Sequence, residues 1–237
     1  MTHGRFATTR WTMVNAAGRA DGHAGEALAE LCQIYWPPLY GYLRGRGYDA
    51  EQAQDLTQGF FARFLERESV RAADPTRGRF RGFLLTALKR YVINEYKRAA
   101  STGRGGQHVH LALDFEDAER TYLLERRDEE TPERVFDRKW AAITLDRTLQ
   151  RLRDECDRAG KRAESNALLP YLTDSGDLPP YKAVATELGL TEGAVKVAVH
   201  RLRQRFGAIL RLEVGETVVE PADVEDEMRE LIRAVSQ

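Results

Sequence analysis

Two stretches of this 237-residue chain combine residue types that could bind a nucleic acid. Residues 71–104 hold nine Lys/Arg against Asp74 and Glu95, interleaved with Phe80, Phe83, Tyr91 and Tyr96. Cationic side chains neutralise phosphates and aromatic rings stack on unpaired bases, so the mixture fits a groove for a single strand. Arg77, Arg79, Arg81, Lys89, Arg90, Lys97 and Arg98 are the candidate phosphate ligands, and Phe80 and Tyr96 the candidate stacking rings. Phe83 and Tyr91 lie on the apolar stripe of the same segment and read as core.

The second stretch, PPYKAVATELGLTEGAVKVAVHRLRQRF, has the parts of a helix-turn-helix over about 180–207. A first helix, about 181–188, buries Val184 and Leu188, and the small Ala185 allows a second helix to approach. Gly189 supplies the left-handed residue that ends it, and Thr191 caps the next helix with Glu192 in its positive first turn. Val195, Val199, Leu202 and Phe206 face inward. A recognition helix reads base edges near its N-terminus and fixes register on phosphates. Lys196, Val197 and His200 are therefore candidates for base contacts, and Arg201, Arg203 and Arg205 for backbone contacts. A packed helical hairpin with a merely solvated basic face fits the same residues less well.

Catalytic chemistry has little to stand on. His108 and His110 form a His-x-His pair in a Gly-rich stretch with no third ligand nearby. Cys32 and Cys156 are too far apart in sequence for a zinc spacing and read as two thiols in a reducing cytoplasm. There is no phosphate-binding loop, nucleophile elbow or paired-carboxylate motif. We expect no enzyme, no metal and no cofactor. The apolar runs fall short of the ~18–20 residues of a membrane span, and no secretory signal is visible, so the expected location is cytoplasmic.

A net charge of −1 hides blocks of opposite sign. Residues 194–211 hold five Lys/Arg and no acid, whereas 114–137 hold ten acids against four Arg, and 213–230 eight acids against Arg229. Two basic segments, separated and followed by acidic ones, suggest two nucleic-acid contacts on an otherwise repelling chain.

The elements that must position these residues all read as helix. Expected helices span 25–44, interrupted by Pro37-Pro38; 49–67, capped by Asp49; 79–99; 133–159; a short one within 160–180; the pair in the helix-turn-helix; and 222–235. On the second, Ala53, Leu56, Phe60, Phe61 and Phe64 form the apolar stripe while Asp55 and Gln58 face away, and Thr57 falls on the apolar arc. The fold class is all-α: two small helical domains, 25–100 and 136–212, joined by an acidic linker, 101–135. An N-terminal extension, 1–24, and an acidic C-terminal tail with a helix, 213–237, flank them. That last helix could shield the basic face of the second domain, bind a partner, or simply pack.

YKAVATELGLTEGAVKVAVHRLRQRF resembles the −35-reading motif in the sigma-4 domain of extracytoplasmic-function (group IV) sigma factors of the sigma-70 family. LCQIYWPPLYGYLRGRGYDAEQAQDLTQGFFARFLE resembles the start of a sigma-2 domain, and GRFRGFLLTALKRYVINEYKR its promoter-melting helix. The motifs stand in the family's order and cover about 25–210. The resemblance implies core RNA polymerase and promoter DNA as partners, with docking through Asp55 and Gln58. It further implies that loop 72–80 and helix 79–98 bind the −10 element. Where the family carries an acid-rich docking motif, this chain has Gln52-Ala53-Gln54-Asp55, followed by Thr57. The chain looks most like the subgroup associated with Ser/Thr kinases rather than membrane anti-sigma factors. That makes Thr57 a candidate phosphorylation site, whose added charge of about −1.5 to −2 would restore docking. A transcriptional regulator acting without polymerase, and an adaptor protein, are the other readings of the same residues.

Overall fold

The computed structural model describes residues 23–65, 79–101, 113–125, 127, 130–173, 176, 178–218 and 220–236, and among these the fold is all-α. In chain order the helices are α1 (His23–Gly45), α2 (Ala50–Leu65), α3 (Phe80–Ser101), α4 (Phe115–Glu125), α5 (Pro132–Arg158), α6 (Arg162–Leu168), α7 (Pro170–Thr173), α8 (Tyr181–Leu188), α9 (Glu192–Gly215) and α10 (Val224–Ser236). They form two compact units, Met1–Ile143 with Val214–Gln237, and Thr144–Glu213. The C-terminal helix therefore belongs with the N-terminal unit. Within that unit it packs through Met228 and Leu231.

The first unit is built around α1. Tyr35, Trp36, Leu39, Tyr40, Tyr42 and Leu43 are all buried, so this helix is apolar on more than one face and neighbours surround it. The helix runs through Pro37-Pro38 rather than breaking there. A helix-interior proline costs ~3 kcal/mol or more, but buried aromatic and aliphatic side chains on both sides of the pair outweigh that local preference.

Asp49 starts α2 as the sequence predicts. Its carboxylate accepts the Gln52 amide N–H at 2.8 Å, and Gln52 Oε1 accepts the Asp49 N–H at 3.3 Å, a reciprocal capping box. Gln52 thus has a structural task at the position where an acid was expected. Ala53, Phe60, Phe61 and Phe64 are buried as the stripe requires. Thr57 is buried with them, its hydroxyl donating to the Ala53 carbonyl at 2.7 Å. Satisfied one turn back and without solvent contact, it is not offered to a kinase in this fold, which corrects the phosphorylation expectation. Gln58 is buried too, on the flank of the same arc, and so is not an outward docking residue; Asp55 is exposed.

The acidic linker contains a helix that joins the core. Phe115, Ala118 and Tyr122 of α4 are buried, and the Phe115 ring meets Trp36 and Tyr40 edge-on at centroid distances of 4.9 and 5.5 Å. Glu119 accepts from Tyr40 Oη at 2.6 Å and takes a two-pronged bond from Arg44 at 2.8 and 2.7 Å. Periodicity in 114–125 is weak because only three positions face inward, so composition alone reads as linker.

The second unit places Leu168, Tyr171, Val184, Ala185, Val195 and Val199 in one apolar cluster, and Leu152, Leu169 and Ile209 in another, with Leu202 packed against both. The segment between α5 and α8, expected to be irregular around one short helix, holds the two short helices α6 and α7.

Burial pushes the Glu119 carboxyl up, but the bonds from Arg44 and Tyr40 outweigh it and hold the group below the usual glutamate range. A depressed folded value contributes stability above the unfolded pKa of ~4.3, which is lost as pH falls through the folded value. Urea unfolding of Glu119→Gln should show a weaker loss of stability below that pH than the parent, and a slope equal to the parent's would refute it. At Thr57, glutamate would bury an unpaired carboxylate, whereas valine conserves volume. We expect Thr57→Glu to destabilise by about 3 kcal/mol or more and Thr57→Val by about 1 kcal/mol, measured by thermal melting.

Candidate nucleic-acid interface

In the first unit, α2 and α3 enclose a groove of about 700 Å³ lined by Phe60, Arg63, Phe64, Arg79, Gly82, Phe83, Thr86, Ala87, Arg90, Tyr91 and Asn94. On α3 these positions recur every three or four residues from 79 to 94, which is a single face of the helix. Gly82, Thr86 and Ala87 are small residues of the lining. Phe83 and Tyr91, half-buried, supply ring area beside the Arg63, Arg79 and Arg90 guanidiniums. The rings are held from behind: Phe64 lies 6.2 Å from Phe83 and Phe60 5.9 Å from Tyr91, centroid to centroid. Gly59 makes room for the Tyr91 hydroxyl, which a Cβ at that position would meet. Basic groups around partly accessible rings are what a single nucleic-acid strand requires.

The candidates of the basic segment divide by helical face. Arg79 and Arg90 reach the groove. Phe80, expected to be exposed, is fully buried and packs edge-on against Tyr35 at 5.2 Å, so it cannot stack on a base in this fold. Arg81 is also buried: Glu227 on α10 accepts from its Nε at 2.7 Å, Asp137 on α5 pairs with its Nη1, and its guanidinium lies 4.6 Å from the Trp140 ring. Long-range partners, invisible to local patterning, take both residues inward. Lys89 turns to another face, bonding Glu133 at 2.8 Å over the Tyr42 ring. Tyr96 is 59% exposed near Tyr48, and Lys97 and Arg98 are exposed beside it at the far end of α3. Arg77 lies outside the described residues, as do most of loop 72–80 and His108 and His110.

Sequence reasoning passed over Arg63 and Asn94 and placed Phe83 and Tyr91 in the core. The signal was available in part: the stripe 79–82–83–86–87–90–91–94 is helical and mixes small, aromatic and polar residues. An apolar core face would not.

In the second unit the helix-turn-helix has its expected local anatomy. Gly189 ends α8 at φ +66°, and its N–H and that of Leu190 return to the Ala185 carbonyl. Thr191 Oγ1 accepts the Ala194 N–H at 3.2 Å and so caps α9. Lys196, Val197, His200 and Arg201 are exposed on the first turns of that helix, with Lys196 bonded to Glu192 at 2.7 Å. The backbone-contact candidates are partly engaged within the unit. Arg203 donates to the Tyr171 carbonyl at 3.0 Å, and Arg205 grips Glu155 with two bonds of 2.7 and 2.8 Å. The helix continues to Gly215, beyond the expected end near 207.

Neither thiol is activated: burial pushes Cys32 up to about 12, and Cys156 is raised by burial and neighbouring carboxylates. Among the described residues no helix is long and apolar enough to cross a membrane.

Comparison with curated proteins and with solved structures returned no match. Residues 31–102, which carry most of α1, all of α2 and α3 and therefore the whole lining of the groove, match the family model described as Sigma-70 region 2. The match covers about a third of the chain and suggests, for this region, a part in polymerase binding and promoter melting.

Proposed function

We propose that the protein is an alternative sigma factor of the extracytoplasmic-function type. It binds core RNA polymerase and directs initiation at promoters recognised through two elements. The observation that carries this is the groove of Arg63, Arg79, Arg90 and Asn94 around Phe83 and Tyr91, lying within the segment that matches sigma-70 region 2. In this reading the groove holds the opened strand of the −10 element, with Tyr96, Lys97 and Arg98 extending its path. The first turns of α9, through Lys196, Val197, His200 and Arg201, read the −35 duplex. Residues 25–100 act as the sigma-2 domain, and within the 136–212 expected for the sigma-4 domain the compact unit Thr144–Glu213 plays that part. Asp55 and the exposed Glu51 on α2 offer negative charge to a basic polymerase surface.

Polymerase supplies the chemistry, so the chain contributes binding and strand separation and needs no cofactor or catalytic group. A cytoplasmic location follows from that partnership. Control by a Ser/Thr kinase or an anti-sigma factor belongs to the same reading, with a target other than Thr57 in the folded form.

The test is reconstitution of the purified chain with core polymerase on genomic DNA fragments, scored for promoter-specific transcripts. Promoter-specific initiation is the expected result, and its absence overturns the proposal. A regulator acting alone would bind duplex without core enzyme. In the holoenzyme, Arg90→Ala should weaken binding of a −10 single strand and lower the salt slope by about 0.7, the loss of one phosphate contact. Asn94→Ala should weaken opening without changing that slope. His200→Ala should alter −35 preference and leave strand opening intact.

A further inference from the structure

The match to sigma-70 region 2 ends at residue 102, yet the groove it contains is braced from the far end of the chain. Glu227 on α10 is fully buried, and its carboxylate joins two arginines at the start of α3. Oε1 accepts from Arg81 Nε at 2.7 Å, and Oε2 sits 3.2 Å from Arg81 Nη2 and 2.9 Å from Arg79 Nε. A main-chain bond accompanies the pair, the Phe80 N–H donating to the Thr217 carbonyl at 3.2 Å. Met228 and Leu231 of α10 are buried beside it.

These contacts have two consequences. Arg81 is closed in by Glu227, Asp137 and the Trp140 ring, and removing the main carboxylate would leave a buried cation short of a partner. Such an arrangement suits a permanent brace better than a cover that lifts. Arg79 is different, because its side chain is one-third exposed and lines the groove. The bond to Glu227 uses its Nε, and the side chain still reaches the groove. The carboxylate fixes the plane of the guanidinium, which limits the rotamer entropy lost when a phosphate binds.

We infer that Glu227 is a positioning residue for the opened-strand groove, holding Arg79 at its mouth and pinning the first turn of α3, so that the C-terminal helix is a working part of the promoter-opening unit. This rests on the sigma-factor reading for the role of the groove, while the positioning itself is a property of the isolated chain. A lone structural ion pair would stabilise α10 without tuning Arg79. The positioning role requires that Glu227 and Arg79 act as one device on strand opening.

The test uses the full-length chain as Glu227→Gln, Glu227→Asp, Arg79→Ala and the Glu227→Gln/Arg79→Ala double variant. Amide hydrogen exchange over Phe80–Leu84 is measured first, without polymerase. Faster exchange in Glu227→Gln, with less change in Glu227→Asp, is expected; exchange equal to the parent's overturns the inference whatever polymerase does. Holoenzymes are then compared for permanganate reactivity of the opened −10 strand and for affinity to core enzyme. Glu227→Gln and Arg79→Ala should each reduce opening by about tenfold with core affinity unchanged, and the double variant should open no worse than Arg79→Ala alone. Additive losses would reduce Glu227 to a structural pair, and increased opening in Glu227→Gln would make α10 a gate; either result overturns the inference. Should Glu227→Gln fail to fold, Glu227→Asp carries the same comparison. A parent holoenzyme that opens no promoter refutes the sigma-factor reading, and the exchange measurement still decides the positioning.

Discussion

Burying the Arg81 guanidinium strips water from its five donors, and the fold answers with Glu227, Asp137 and the face of Trp140. A charge in that position is tolerated only with its partners in place, so three elements distant in sequence are required to meet there. The start of α3 is thereby fixed in rotation, and with it which of its residues face the groove. One turn of α3 in a different rotation would carry Arg79 and Phe83 away from Arg63 and Phe64. The stripe from 79 to 94 presents a cationic, aromatic surface because the neighbouring position, Phe80, is driven inward onto Tyr35.

The aromatic core around α1 gives that anchor something rigid to hold. Trp36, Tyr40 and Phe115 meet in edge-to-face pairs, each worth ~0.5–1.5 kcal/mol beyond the area they bury. Phe60 and Phe64 continue the packing to the back of Tyr91 and Phe83. The rings that line the groove are therefore supported by other rings, which restricts their rotamers. Glu119 ties α4 to α1 through Tyr40 and Arg44, and so converts part of an acidic linker into core.

What could be read from the sequence follows the range of the interactions concerned. The ends of α2, α8 and α9 are set by Asp49, Gly189 and Thr191 within three or four residues of themselves, and their positions are legible one residue at a time. The fates of Phe80 and Arg81 are not, because partners on other elements decide them: Phe80 is buried against α1, and Arg81 against α5 and α10. Pro37-Pro38 misleads for the same reason, since a local rule predicts a break and tertiary packing overrides it. The C-terminal helix shows the limit of pattern reading: its amphipathic stripe is evident, but Met228 and Leu231 are buried while Ile232 and Val235 stay exposed. No periodicity shows that a glutamate beside that stripe is its most buried side chain.

The charge blocks take on a sharper meaning once each cation is followed to its partner. Arg44, Arg81, Lys89, Arg138 and Lys139 are all tied to carboxylates of the same unit, several of them from the acidic segment 114–137. Those acids do more than repel nucleic acid along the chain: they neutralise the basic residues that structure has claimed. Arg63 and Arg90 are exposed and line the groove, while Arg79 shares Glu227 through one nitrogen. A chain of net charge −1 thus still carries a groove lined by three arginines, while many cations elsewhere in the unit are held by carboxylates.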